Sequence, residues 1–258
     1  MRNKRKKRFR ILRTLLLLIM VVCLIPVGQA YYLFLKHEKQ QEKIRDLLRE
    51  GNSVKIEAEI EQEGTQNTEA RLIKYQTLYQ ENNDLAGWLT IAGTEIDYPV
   101  MQCGDDEYYL SHSFYKEKDK YGCLYVREIA DIHTPGTNFI IYGHNMQDGC
   151  MFGNLDKYKE EDYFREHPLI SFDTLFEERE YQVLASFRSQ LAEGDFEYYK
   201  FYQADTEKEF MEFYGTVKGL SLYDTGVTAA YGDTFLTLST CSSHTENGRF
   251  VVVAKRVK

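Results

Sequence analysis

Cys241 closes an apolar, β-branched run in "DTFLTLSTC", and a polar turn, "SSHTENG", follows it. A thiol attacks as its thiolate, and free cysteine titrates near ~8.5. A nucleophilic Cys241 therefore needs a base or a cation close by. His244 lies three residues on, inside the polar turn. His144 stands far upstream, where the apolar strand "NFIIYGH" gives way to a Gly/Asn turn. A strand end holds its side chain rigidly over a sheet rim, whereas the tip of a polar turn does not. His144 is preferred on that ground. Arg249 opens the last strand, eight residues after Cys241. If the two strands form a hairpin, the guanidinium faces the cysteine across its mouth. There it would favour the thiolate and donate to an oxyanion or a substrate carbonyl. Ser239 points to the same side of its strand as Cys241, and Thr240 to the other. Each residue also has an ordinary reading: a packed thiol, a strand-end histidine, a solvated arginine.

The elements that must hold these groups are short and punctuated. From Leu85 onward "GWLTIAG", "TEIDYPVMQ", "GCLYVRE", "TNFIIYGHN", "REYQVLASFRSQ", "DTFLTLSTC" and "GRFVVVAKRV" read as strands divided by Gly, Asp, Asn and Pro turns. At least seven such strands predict a barrel or a sandwich. Two helical inserts break the series, "GNLDKYKEEDYFREHP" and "ADTEKEFMEFYGTVKGLS". In the second, Thr206 and Glu209 are spaced as a capping box, and Phe210, Phe213, Tyr214 and Val217 share one helical face.

The chain of 258 residues is long enough for a sizeable core. Its formal charge of −8 hides a split: the first thirteen residues carry eight basic side chains and no acid. The remainder is thus twice as acidic as the whole, which argues against a nucleic-acid binder. No charged residue falls between Leu15 and Leu35, a run long enough to cross a bilayer as a helix. The basic residues before it predict a cytoplasmic N-terminus and a domain outside the cytoplasm. A cleavable signal peptide ending near Gly28 and Ala30 is the rival; "YYLFL" extends the apolar run past that site and favours an anchor. Residues 37–83 read as a charged spacer whose helical stretches are interrupted at Gly51, Asn52 and Ser53. Cysteines 103, 123 and 150 show no tight spacing, so neither a zinc site nor a disulfide framework is signalled. They read as small buried residues, with a disulfide between two of them left open.

"TLSTC" followed by "GRFVVVAKR" resembles the signature of the sortases, membrane-anchored cysteine transpeptidases of Gram-positive bacteria. "NFIIYGHNMQDGCMFGNLDKY" resembles their histidine segment, and its "YGHNM…MFGNL" wording is closest to class B. The resemblance implies a mostly β fold, a closed barrel of about eight strands with an N-terminal helix and helical insertions, preceded by one transmembrane helix. The chain would divide into a cytoplasmic segment 1–13, a signal-anchor 14–35, a spacer 36–69 and a catalytic domain 70–258. Cys241 then resembles the family's nucleophile, His144 its general acid/base and Arg249 its oxyanion or substrate-carbonyl donor. His244 matches no family position. The insert before the cysteine strand resembles the class B groove wall, with Tyr198 and Tyr199 as candidates there. Leu110, Asp106, Ser239 and Asn145 are the further candidate substrate contacts.

The implied partners are secreted proteins bearing a C-terminal sorting motif, an amine of a lipid-linked peptidoglycan precursor, and the membrane itself. No metal or organic cofactor is expected. Asp106 stands where one relative has asparagine, and Ser242 where an acidic residue can follow the cysteine. These departures leave the motif open between an Asn-Pro-x-Thr-Asn-like and a Pro-x-Thr-Gly-like pentapeptide. Rival readings are a pilus-polymerising sortase, disfavoured because such enzymes commonly carry a second C-terminal apolar segment, a plain hydrolytic cysteine protease, and a non-enzymatic tethered binding domain.

Overall fold

The computed structural model describes residues 2–61, 69–190, 194–241 and 248–258, with residues 2–10, 52–61, 69–73 and 241 described in their backbone alone. The chain divides into two compact units, Met1–Asp46 and Leu47–Lys258. Helix α1 spans Arg2–Glu61 and contains Pro26. It runs unbroken through Gly51, Asn52 and Ser53, where the sequence predicts an interruption. One glycine costs a helix only about 1 kcal/mol relative to alanine, too little to break a run whose flanks are good helix formers. Within α1, the stretch Ile11–Gly51 contains an apolar run long enough to cross a membrane.

The second unit continues with α2 (Glu69–Glu81) and eight strands: β1 (Leu85–Thr90), β2 (Asp97–Met101), β3 (Leu124–Tyr125), β4 (Asn138–Gly143), β5 (Leu169–Thr174), β6 (Glu180–Gln190), β7 (Phe235–Cys241) and β8 (Gly248–Arg256). They close into a barrel in the order β1-β2-β3-β4-β7-β8-β6-β5. Seven of these strands fall on the segments read from the sequence. The eighth, β5, follows Pro168 and alternates cleanly, with Ile170, Phe172 and Thr174 buried. Its period of two is legible, yet the segment lies between the helical insert and the next strand segment and is assigned to neither in the sequence reading. That insert forms a 3-10 turn at Leu155–Lys159 and helix α3 (Glu161–Glu166).

The centre of the barrel wall is a parallel pair. β4 and β7 run in register from Asn138↔Phe235 to Gly143↔Thr240. Parallel strands are usually covered on both faces, and an aromatic cluster covers this region. Helix α4 (Glu207–Leu220) starts on the predicted capping box: Thr206 accepts from the Glu209 amide while the Glu209 side chain accepts from the Thr206 amide. Such a cap stabilises a helix by about 1 kcal/mol. Phe210 and Phe213 of α4 bury against Phe235, and Phe201 stacks on Phe213 at 4.0 Å between ring centres. Burying each such ring contributes roughly 1.5–3 kcal/mol. The α4 insert is thereby fixed against β6 and β7, and it carries Tyr198 and Tyr199 to the same end of the barrel as Cys241.

Candidate active site

β7 and β8 are an antiparallel hairpin whose final register pair is Cys241↔Arg249. The expected opposition of cysteine and arginine is therefore present in the backbone. The parallel register then brings in the histidine: Tyr142 of β4 pairs with Ser239 of β7, and His144 and Cys241 each lie two residues further toward the same rim. Three residues far apart in sequence thus reach one end of the barrel through two strand pairings. His244 and Ser242 lie outside the described residues.

A groove of about 420 Å³ opens at this end, bordered by Leu110, His144, Tyr198, Tyr199, Ser239 and Arg249 among others. Its floor is a cross-strand rank. Tyr125 pairs with Tyr142, the two rings stack at 5.5 Å, and Ser239 follows on β7.

His144 is held in a definite orientation. Its Nε2 lies 2.7 Å from the backbone carbonyl oxygen of Leu110. A carbonyl only accepts, so Nε2 carries the hydrogen of this bond. Leu110 was expected as a groove wall; it borders the groove and also supplies this anchor through its main chain. The anchor rests on Gly122, which adopts φ +59, and a Cβ there would lie 2.3 Å from the Tyr109 carbonyl oxygen and 2.9 Å from that of Leu110. Only glycine fits so close an approach at positive φ. The 3-10 turn Tyr108–Leu110 is fixed further by Tyr109, whose hydroxyl donates to Asp84 at 2.7 Å and accepts from the Asn82 amide at 2.9 Å.

The other predicted contacts divide. Tyr198 and Ser239 are both about 1 % exposed and bonded to each other at 2.7 Å between hydroxyl oxygens. They support the groove floor and spend their hydroxyls on one another. Tyr199 is more open, its hydroxyl donating to Glu197 at 3.1 Å. Thr240, expected on the face away from Ser239, borders the groove too, and its hydroxyl meets no partner among the described residues. Asn145 does not border the groove; its backbone bridges to Met151 in the turn after β4.

Asp106 does border the groove, with both carboxylate oxygens already engaged. Oδ2 accepts from Arg127 Nε at 2.7 Å and Oδ1 from the Glu128 amide at 2.7 Å. Arg127, not singled out in the sequence, is a groove residue. Nothing in "YVREIAD" marks it, because the signal is a tertiary pairing across 21 residues. The bond to Asp106 raises the Arg127 guanidinium further above its already high value. Burial, then the nearby Tyr202 hydroxyl, pushes the Tyr142 phenol far above its ordinary range, so Tyr142 stays a protonated donor.

Cys103, Cys123 and Cys150 are free thiols. Cys123 and Cys150 are buried as expected; Cys103 is partly exposed. Burial pushes the Cys123 thiol well above its usual value, so it is inert as a nucleophile near neutral pH. Among the described residues no cluster of His, Cys, Asp and Glu is arranged to hold a metal ion.

A closed eight-stranded barrel with cysteine and arginine paired at a hairpin mouth and a histidine just past the end of the neighbouring strand defines a class, and comparisons with known proteins agree with it. Residues 89–257 match the family model for the sortase domain. Sortase B of Listeria monocytogenes is 36% identical over 186 residues, covering 70% of this chain and 72% of that protein. Sortase B of Staphylococcus aureus is 26% identical over 98% of this chain and 99% of its own length. The crystal structure of sortase B from Bacillus anthracis superposes with a TM-score of 0.64 at 33% identity, over 72% of this chain and 84% of that one. The chain belongs to the sortase family of cysteine transpeptidases, and to class B within it.

Proposed function

We propose that this sortase cleaves a C-terminal sorting motif on secreted proteins and joins the new carboxyl end to an amine of a peptidoglycan precursor. The observation that carries the reading is the register Cys241↔Arg249 combined with His144 two residues beyond Tyr142↔Ser239. Cys241 is the nucleophile. Its thiolate attacks the carbonyl carbon of the motif threonine, and Arg249 donates to the oxygen that gains charge. The C–N bond breaks as His144 passes its proton to the departing nitrogen, leaving a thioester on Cys241. An incoming amine then yields a proton to His144 and attacks the thioester; the C–S bond breaks and the thiolate leaves. Water in place of the amine gives hydrolysis, so the enzyme is formally also a cysteine endopeptidase of the hydrolase class.

The apolar segment of α1 supports a single-pass anchor that holds the catalytic domain on the extracellular face. Tethering raises the effective concentration of two substrates that both arrive at that surface. The test uses the full chain in detergent micelles with sorting-motif peptides, and reads products by mass spectrometry with and without an added amine. An amide adduct and a trapped thioester are expected, both absent in Cys241→Ala. Turnover retained in Cys241→Ala overturns the nucleophile assignment, and free acid alone despite saturating amine overturns the transfer step.

A further inference from the structure

β4 leads into His144 and is fixed by sheet pairing as far as Gly143. The turn beyond it closes where the Phe152 amide donates to the His144 carbonyl at 2.9 Å. This turn is held against its own backbone preference. Gly149 adopts φ +87 and the buried Met151 φ +52. A non-glycine residue in the left-handed region is strained and persists only where its surroundings over-determine it. Two tyrosines supply the restraint. The Met151 amide donates to the Tyr98 hydroxyl at 3.3 Å. Asp148, within the turn, accepts from the Tyr121 hydroxyl at 2.7 Å and, through its other oxygen, from the Cys150 amide at 3.2 Å. Tyr121 is fully buried and Asp148 is exposed. The tyrosine therefore reaches outward from a packed position to fasten a surface turn.

Tyr121 belongs to the same short segment that supports the histidine from its other side. The Asp119 amide donates to the Ser111 carbonyl at 2.9 Å, and the Cys123 amide to the Tyr109 carbonyl at 2.9 Å. The Asp119 side chain also accepts from the Tyr121 amide at 3.0 Å. Residues 119–123 are thus latched on either side of Leu110, whose carbonyl accepts from His144 Nε2. One segment grips both the acceptor of the ring's hydrogen and the turn that continues the ring's backbone. A hydrogen bond weakens steeply as it bends, so the ring keeps its bond only while turn and carbonyl stay in fixed relation. Neither Tyr121 nor Asp148 borders the groove, so neither is placed to touch a substrate in it.

Resting on the function proposed above, we propose that Tyr121 and Asp148 are positioning residues for His144. Their bond locks the turn after the histidine to the segment that holds Leu110, and so sets the angle of the imidazole. The carboxylate acts as an acceptor rather than as a charge, because both its oxygens are taken by the chain and it stands in screening solvent.

The test uses the full chain in detergent micelles with isotope-labelled nitrogens in its histidine rings. The His144 signal is the one lost in His144→Gln. Above the titration of the imidazole, the ring-nitrogen shifts report which nitrogen holds the hydrogen; in the wild type it is Nε2. Tyr121→Phe removes the bond and keeps the carboxylate. There the hydrogen distributes over both nitrogens, and kcat for a sorting-motif peptide falls about 10- to 100-fold with KM unchanged. Asp148→Ala does the same, and Asp148→Asn, which keeps an acceptor without the charge, restores most of the loss. Wild-type ring shifts and kcat in a Tyr121→Phe variant overturn the proposal. So does an Asp148→Asn variant as impaired as Asp148→Ala, or a Tyr121→Phe variant whose lost activity only tracks a lowered unfolding midpoint. If the ring shifts respond as expected while the wild type cleaves no sorting-motif peptide, the proposed reaction fails and the positioning assignment stands.

Discussion

Two arginine–carboxylate pairs sit at opposite ends of the same barrel. At the groove, Arg127 and Asp106 are 42 % and 33 % exposed and join two loops. At the end where β6 begins and β8 finishes, Glu177 bridges Arg179 at 2.8 Å and also bonds Arg256. Arg179 there is only 3 % exposed. The contacts are chemically alike, and their surroundings assign them different work. A buried guanidinium stripped of its carboxylate is left uncompensated, which is strongly destabilising. A half-exposed one is resolvated by water and keeps most of the fold's stability. The buried pair fastens the ends of β6 and β8, and the half-exposed pair lies in the groove wall.

Variants at the two ends should therefore separate activity from stability. The largest effect is expected at the rim itself: His144→Ala and Arg249→Ala each lower kcat/KM by about 1,000-fold or more. Their thermal unfolding midpoints should stay near wild type, and a residue whose loss leaves turnover near normal has no place in the mechanism. Next is Gly122→Ala. A Cβ there displaces the Leu110 carbonyl and frees the His144 ring, lowering kcat/KM by about 10- to 100-fold and shifting its pH profile. Leu110→Ala keeps the carbonyl, so it should raise KM while leaving the pH profile in place. Matching pH profiles for both variants would show that the carbonyl does not orient the base.

Far from the groove, Arg179→Ala should cost about 1–4 kcal/mol in denaturant unfolding and leave kcat/KM of the remaining folded enzyme unchanged. Burial raises the Glu177 carboxyl, but its bonds to Arg179 and Arg256 outweigh burial and hold it below its ordinary value. A depressed carboxyl stabilises the fold above its unfolded pKa. That contribution is lost as pH falls below about 4.5 and through the depressed value. Glu177→Gln should flatten this acid limb of the stability profile, and an unchanged limb would remove Glu177 from it. The smallest effect is expected for Tyr198→Phe, which leaves the buried Ser239 hydroxyl without its partner. A loss of about 1 kcal/mol in stability with a modest fall in kcat/KM would place this pair beneath the groove rather than in the chemistry. Loss of activity comparable to Arg249→Ala would contradict that placement.

Much of the site was legible before any coordinates. The end of an apolar run at Cys241, the strand start at Arg249 eight residues later, and the period of two that ties Ser239 to Cys241 are local patterns, and local patterns survive in sequence. The cap of α4 was equally plain, because Thr206 and Glu209 are three residues apart. The choice of His144 over His244 rested on its place at a strand end. The pairing of β4 with β7, two strands distant in the chain, brings His144 to the rim that Cys241 reaches, while His244 lies outside the described residues. Asp106, Tyr198 and Ser239 border the groove as read from the sequence, but how their polar atoms are occupied was not legible there. Each has a hydrogen-bonding partner more than 20 residues away, and which lone pairs remain for a ligand depends on that partner.

The sequence by itself determined the strand texture, the apolar N-terminal helix, the inserted capped helix and the types of side chain that perform acyl transfer. These follow from periodicity and from the chemistry of single residues. The tertiary structure alone decided that β3 runs antiparallel to β4 and β7 parallel to it, and so which residues share a rank on the groove floor. It alone showed that Gly122 supports the carbonyl that orients His144, and that both Asp106 carboxylate oxygens accept hydrogen bonds from the chain itself. Strand order and hydrogen-bond occupancy are properties of pairs distant in the chain, fixed by closure of the barrel, and no window of sequence contains both members.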